Sequence, residues 1–419
     1  MATELPNPQP ASTAIPQRFK MLAIEPAERE ERLRRVRAAM EARGFDALVL
    51  FNPVRIDWIS GFSHVSTERP MAIVIPIAGD LGVLIPHLEQ EHVAKSPLLK
   101  RVRVYPEYPG GGSGKHPLVH FGELLREMGL VGKGKTLACD TDGYSDLNGY
   151  LGPKLSEIVD RAAVVEAREL IDKPRQVKSP AELAFVRESS KWGNLAHRVM
   201  QERMAVGKTE IEVTLEATLE AVRMMLKTLG ATYGTGGRGL RNPPCSCGFI
   251  AGRNTALPHG MRREGGLQPG DCIVTGASAN VAGYKSELER TMIVGEPSAE
   301  FRKYFDGMIA AQNAAFAALR PGRTCAEAEA DVSRAIAEQG YRALQRHHTG
   351  HGIGLEGHEQ PFIDLDDQTV LEPGMVLSVE PGLYVPGLGG FRHSDTIIIT
   401  EDGCELTTYY PRDLDSLIV

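Results

Sequence analysis

One short pattern recurs three times in the second half of the chain and constrains its architecture more than any other feature. A Ser or Thr followed three residues later by Glu occurs at Ser179/Glu182, Thr209/Glu212 and Thr324/Glu327. In such a box each side chain can bond the other residue's backbone N–H, which opens a helix. Pro180, directly after Ser179, suits the first helical position. Each box introduces a helical pattern of about 15–20 residues. Residues 230–297 are rich in Gly and β-formers, and residues 371–400 read as strands. Helices alternating with such strands predict an α+β domain built on a largely antiparallel sheet.

The first half reads differently. A charged segment, 25–43, carries Leu33, Val36 and Met40 on one face and is stopped by Gly44, which predicts a surface helix. Short β-rich runs follow at 46–51, 71–76 and 82–85, with a second helical pattern at 119–128. This alternation predicts an α/β domain. The composition changes across Asp172–Ser179, so the expected division is a flexible tail over 1–20, an α/β domain over 21–172 and an α+β domain over 173–419. Gly110–Gly114 is expected to be a flexible loop.

Composition excludes several classes. With 419 residues, 42% hydrophobic and 24% charged, the chain can build real cores and is neither fibrous nor a small disulfide scaffold. A net charge of −7 argues against a nucleic-acid partner. No apolar run reaches the roughly 18 residues of a membrane span, and the N-terminus lacks a signal-peptide pattern. The six Cys form no C-x-x-C pair and are expected as free buried thiols of a cytoplasmic protein.

Polar residues able to do chemistry concentrate in the second half. His259 lies between two loops. Glu287 and Glu289 share one face if their run is a strand, where two carboxylates need a cation, a metal or a shared proton. As a bland alternative, they are solvated and paired with Lys285 and Arg290. His347, His348, His351 and His358 cluster in HHTGHGIGLEGHEQP; the first two are read as background. Glu380 ends the apolar run 375–379, where burial requires that its charge be satisfied. His393 and Ser394 carry no assigned role. These residues alone indicate an acid/base or metal site.

The order of motifs is more specific. GRNTALPH, GD-x11-GYKSELERT, HTGHGIGLEGHEQP, LEPGMVLSVEPGLYVP and GGFRHSDTIIITEDG, spread over residues 178–410, together resemble the "pita-bread" family of methionine aminopeptidase, aminopeptidase P, prolidase and creatinase. The front half resembles the N-terminal domain of the prolidase–creatinase branch. In the family's metallopeptidases two ions are held by two Asp, one His and two Glu. Those positions fall on Gly276, Glu287, His351, Glu380 and Ser394 of this chain. Gly276 and Ser394 offer no charge to offset two divalent ions about 3.5–4 Å apart. The resemblance therefore implies either no metal or one ion, such as Mn, Zn or Fe, on Glu287, His351 and Glu380; the expectation taken is the metal-independent one.

Creatinase is the branch that works without metal, and AGY-x3-LERT is shared with it. The implied reading is a creatinase-like hydrolase of a C–N bond in a small amidine, guanidino or amide substrate. His259 is its general acid/base, and Glu289 and Glu380 bind the cationic group. His351 and His358 donate to the developing oxyanion. Tyr284 and Glu287 belong to the pocket, and Arg69, before Pro70, grips a substrate carboxylate across a homodimer. The peptidase-type GLEGHEQP and Gly276 set creatine and ectoine apart as substrates. The alternatives are a metal-dependent Xaa-Pro dipeptidase with an atypical or mononuclear site, an inactive binding module, and a lyase acting on a small zwitterion.

Overall fold

The three helix-opening boxes form as pairs of reciprocal hydrogen bonds. In the computed structural model, Ser179 Oγ accepts from Glu182 N at 3.2 Å and Glu182 Oε2 accepts from Ser179 N at 2.8 Å, opening the helix Pro180–Arg203. Thr209/Glu212 and Thr324/Glu327 open Glu210–Leu229 and Cys325–Glu338 in the same way. The structure describes residues 22–106, 114–144, 152–230 and 243–419. The N-terminal tail and most of the Gly110–Gly114 loop lie outside the described residues.

The chain divides into two units, one over Ile24–Arg175 and one from Gln176 to the C-terminus. The first is α/β. Its six-stranded mixed sheet has the order Leu99–Tyr105, Leu81–Pro86, Ala72–Pro76, Ala47–Leu50, Thr136–Cys139, Ala163–Glu166. The strands Ala47–Leu50 and Thr136–Cys139 are parallel, whereas Ala47–Leu50 and Ala72–Pro76 are antiparallel. Central strands of this kind are apolar on both faces, and Val49, Val74, Leu84 and Leu137 are buried with Phe121 and Leu125 of the helix Pro117–Glu127. Arg69 lies in this unit, paired with the neighbouring Glu68.

The second unit carries a ten-stranded sheet, antiparallel throughout its pairings. Along its main path the order is Thr291–Ile293, Cys272–Val281, Leu288–Glu289, Ser394–Ile399, Val376–Val379, Gly350–Gly352, Glu359–Ile363. The pita-bread domain expected from the motifs is therefore present. The helix Pro180–Arg203 is tied to the strands by Ser189, whose hydroxyl donates to Tyr284 O at 2.6 Å and accepts from Val281 N at 2.9 Å. Gly350 is needed where it stands: a Cβ there would lie 2.0 Å from Ser378 O. Its absence lets the strand bearing His351 pair closely with its neighbour.

Among the described residues, no helix is long and apolar enough to cross a membrane. All six cysteines are free, five of them buried. Burial pushes the thiols of Cys139, Cys245, Cys272 and Cys325 up to about 12, which keeps them protonated and inert.

Candidate metal centre

Sheet register brings the polar residues together. Glu289 pairs with Ser394, Val379 with Asp395, and His351 with Ser378, so Glu289, Ser394, Ser378 and His351 come from four successive strands, with Glu380 directly after the third. Glu287 lies just before the first of these, where the backbone makes no ladder bond of its own. Thr396 replaces that bond: its Oγ1 accepts from Glu287 N at 2.8 Å and donates to Glu287 O at 2.9 Å.

The side chains are then fixed one by one. Glu287 Oε1 lies 2.8 Å from both Ser378 Oγ and Ser394 Oγ, which leaves Oε2 directed at His351. Ser394 thus gains a role that sequence did not assign. His351 is fully buried, and its Nδ1 donates to Gly352 O at 3.0 Å. That bond turns Nε2 toward the acids, 3.3 Å from Glu380 Oε1 and 4.0 Å from Glu287 Oε2. His358 stacks on His351 with centroids 3.7 Å apart and reaches solvent. Ligand atoms of Glu287, His351 and His358, and separately those of Glu287, Glu289 and Glu380, lie within 4.8 Å of one another.

The electrostatics follow from this crowding. Burial lowers the affinity of the His351 ring for a proton, but the Glu380 contact and the charges of Glu287 and Glu380 outweigh it and push its pKa up to about 9. Burial acts against ionisation of Glu380 as well, yet His351 and Arg392 hold its carboxyl below the usual range. Burial and the other two acids push Glu289 up, against the pull of Arg392.

Arg392 and Tyr384 were missed in the sequence. Arg392 Nη2 donates to Glu289 Oε1 at 2.8 Å while its Nε bonds Oε2, a bidentate pair. Its Nη1 reaches Tyr384 Oη at 3.1 Å and Pro258 O at 3.4 Å. Tyr384 Oη lies 2.8 Å from His347 Nε2, whose Nδ1 is 2.7 Å from His348 O. His347 is therefore part of the site's support rather than background. Alternation along 390, 392 and 394 was the available signal, because it puts Arg392 on the same face as Ser394. The bland alternative for Glu289 also changes: Arg290 turns to the opposite face and pairs with Asp395 at 2.9 Å.

A cavity of about 690 Å³ opens beside this cluster. Glu287, Glu289, Tyr384 and Arg392 line one side and Phe249, Ile250 and Leu257 another. Gly276 forms part of its wall, where a Cβ would have only Glu289 Oε1 nearby, at 3.8 Å. Pro258 and Gly260 line the cavity, whereas His259 between them is exposed at the rim. Tyr284 does not line it. Its hydroxyl donates to Glu182 Oε1 at 2.6 Å and its ring stacks on Phe185, so its position is explained by helix packing rather than by a substrate.

A buried imidazole facing two carboxylates beside a cavity is a donor set that can hold a divalent ion. The comparisons place it further. Residues 184–401 match metallopeptidase family M24 and residues 32–177 match the creatinase/prolidase N-terminal domain. The chain belongs to metallopeptidase family M24. It is 29% identical to the Xaa-Pro dipeptidase of Pyrococcus furiosus over 92% of this chain and 99% of that protein. It is 32% identical to the Xaa-Pro dipeptidase of Pyrococcus horikoshii over 62% of this chain and 71% of that protein. Among solved structures it resembles the Xaa-Pro dipeptidase from Bacillus anthracis, with a TM-score of 0.77 and 26% identity over 93% of this chain and 100% of that one.

These findings correct the metal-independent, creatinase-like expectation and the expectation of no cofactor. The relatives are named as Xaa-Pro dipeptidases of a metallopeptidase family. The physical reason lies in Glu289 and His351. Glu289 was expected to bind a substrate guanidinium, but its carboxylate is already engaged by the chain's own guanidinium. His351 was expected to donate to an oxyanion, but its Nε2 is turned to two acids of the chain itself, at 3.3 Å and 4.0 Å, rather than to open cavity. Glu287 belongs to two donor groups, one with His351 and His358 and one with Glu289 and Glu380. His351 Nε2 links them, 4.0 Å from Glu287 Oε2 and 3.3 Å from Glu380 Oε1, so one imidazole and two carboxylates are available to one divalent ion.

Proposed function

We propose that the protein is a metal-dependent hydrolase that cleaves the amide C–N bond of small peptides, with Xaa-Pro dipeptides as the substrate class. The observation that carries this reading is the orientation of His351 Nε2, buried and aimed at Glu287 and Glu380. The likeness to Xaa-Pro dipeptidases supports the substrate class. A cavity of about 690 Å³ suits a dipeptide.

Glu287, His351 and Glu380 would hold the ion, which when bound would supply polarisation of the scissile carbonyl and a more acidic water. The chain's own residues do the rest. The water oxygen adds to the carbonyl carbon, the C–N bond breaks, and the departing nitrogen gains the proton that the water gave up. Imidazoles exchange protons near neutrality, and His358 and His259 stand at the solvent edge to carry this one. The Arg392 guanidinium presents fixed positive charge to the cavity where negative charge develops. Arg69 engages a substrate carboxylate if a homodimer brings it to a neighbour's cleft.

The test is release of free proline from a Gly-Pro-type dipeptide. Activity is expected to disappear with chelator and return with Mn or Co. Turnover that survives complete removal of metal would overturn the reading.

A further inference from the structure

We propose that the Arg392 guanidinium acts as a built-in cation beside the carboxylate cluster, so that the site takes one divalent ion per chain and not two. This rests on the metal-dependent reading above. Three carboxylates, Glu287, Glu289 and Glu380, converge here, and so much like charge needs positive charge to offset it. Arg392 engages both oxygens of Glu289 and approaches Glu380 Oε2 to 3.8 Å through Nε. It is anchored from two further elements, at Tyr384 Oη and Pro258 O, so it is not a mobile surface side chain that could swing aside.

The remaining donors make one set. Glu287 Oε1 is engaged by Ser378 and Ser394, which leaves Oε2. Glu380 Oε1 and Oε2 face different neighbours, the first His351 and the second Arg392. His351 Nε2 completes the set, fully buried. One imidazole and two carboxylates suit one ion such as Mn, Co or Zn. On the Glu289 side, the wall includes Gly276, whose missing side chain brings no donor. A second divalent ion there would have to share Glu289 with a guanidinium, against the repulsion of like charges.

The experiment uses the full chain. Mn²⁺ is added in excess, unbound metal is removed, and the bound metal is counted by elemental analysis, with electron paramagnetic resonance of the same sample. One ion per chain with a six-line, uncoupled Mn²⁺ signal is expected. Two ions per chain, or an exchange-coupled signal, overturns this proposal alone; no bound ion overturns both it and the metal-dependent reading. Calorimetric titration of variants gives an independent check. Loss of the positive charge in Arg392→Gln is expected to tighten Mn²⁺ binding about tenfold, about 1.4 kcal/mol, while Arg392→Lys stays within about threefold of the wild type. Unchanged or weaker binding in Arg392→Gln contradicts the proposal, and if that variant does not fold, the wild-type ion count decides.

Discussion

Two arginine–carboxylate pairs join the same two stretches of chain and do opposite things. Arg290–Asp395 and Arg392–Glu289 both join the run around Leu288–Glu289 to the segment 392–395. Arg290 and Asp395 are both 0% exposed. Every direction is taken: Arg290 donates to Pro411 O, Tyr410 O and Ser394 O, and Asp395 also accepts from Gln312 and Thr408. Arg392–Glu289 faces a cavity and two further acids. The same ion-pair chemistry is structural where the surrounding protein saturates it and functional where part of its field is left open. The buried imidazoles follow the same division. Burial and the Arg290 charge hold His197 and His393 well below their ordinary range, whereas the acids on the other face push His351 up to about 9.

The largest expected effect breaks the saturated pair. Arg290→Met leaves Asp395 charged, buried and short of a partner, at a cost of about 3–5 kcal/mol in urea unfolding. Arg392→Met is expected to cost less than half of that, because Glu289 borders a cavity and can take up a proton. Equal losses would mean that the two pairs are not different in kind. On the open side, Glu380→Ala is expected to abolish metal binding and with it activity, while the far-UV circular dichroism stays unchanged. A smaller loss is expected one step out: Ser378→Ala removes one hydroxyl from Glu287 Oε1 and weakens Mn²⁺ binding about tenfold.

The pH prediction has a definite sign. His197 and His393 stay neutral in the fold, whereas in the unfolded chain each takes up a proton below about pH 6.5. The unfolded state then binds more protons, so stability falls as pH drops below that value, by up to about 1.4 kcal/mol per pH unit for each ring. His197→Gln is expected to flatten the slope of the urea midpoint between pH 6.5 and 5, and an unchanged slope would assign the loss to other groups. His351, raised in the metal-free chain, contributes with the opposite sign. Its stabilisation is complete below about pH 6.5 and fades as pH rises through about 9.

Much of this was legible in the sequence because the signals were local. The boxes at Ser179, Thr209 and Thr324 need only four residues to declare themselves, and each opens a helix. Glu287, His351 and Glu380 lie in motifs whose order alone points to a pita-bread sheet. What sequence left out depends on which face a side chain takes in space. Arg290 follows Glu289 directly and looked like its partner, but alternation along a strand sends neighbours to opposite sides. Arg392 was passed over for His393, although His393 packs edge-on against Phe305 and Arg392 holds the site. The metal-independent expectation came from counting lost ligands at Gly276 and Ser394. It did not weigh the Nε2 of His351, whose orientation is set by a backbone carbonyl that no motif displays.

The most direct test of the central claim is anomalous diffraction from crystals of the full chain grown with Mn²⁺. One peak bounded by Glu287, His351 and Glu380, with Arg392 still bidentate on Glu289, is the predicted result. A pair of peaks with Arg392 displaced, or a peak elsewhere while the three donors stay apart, would contradict it.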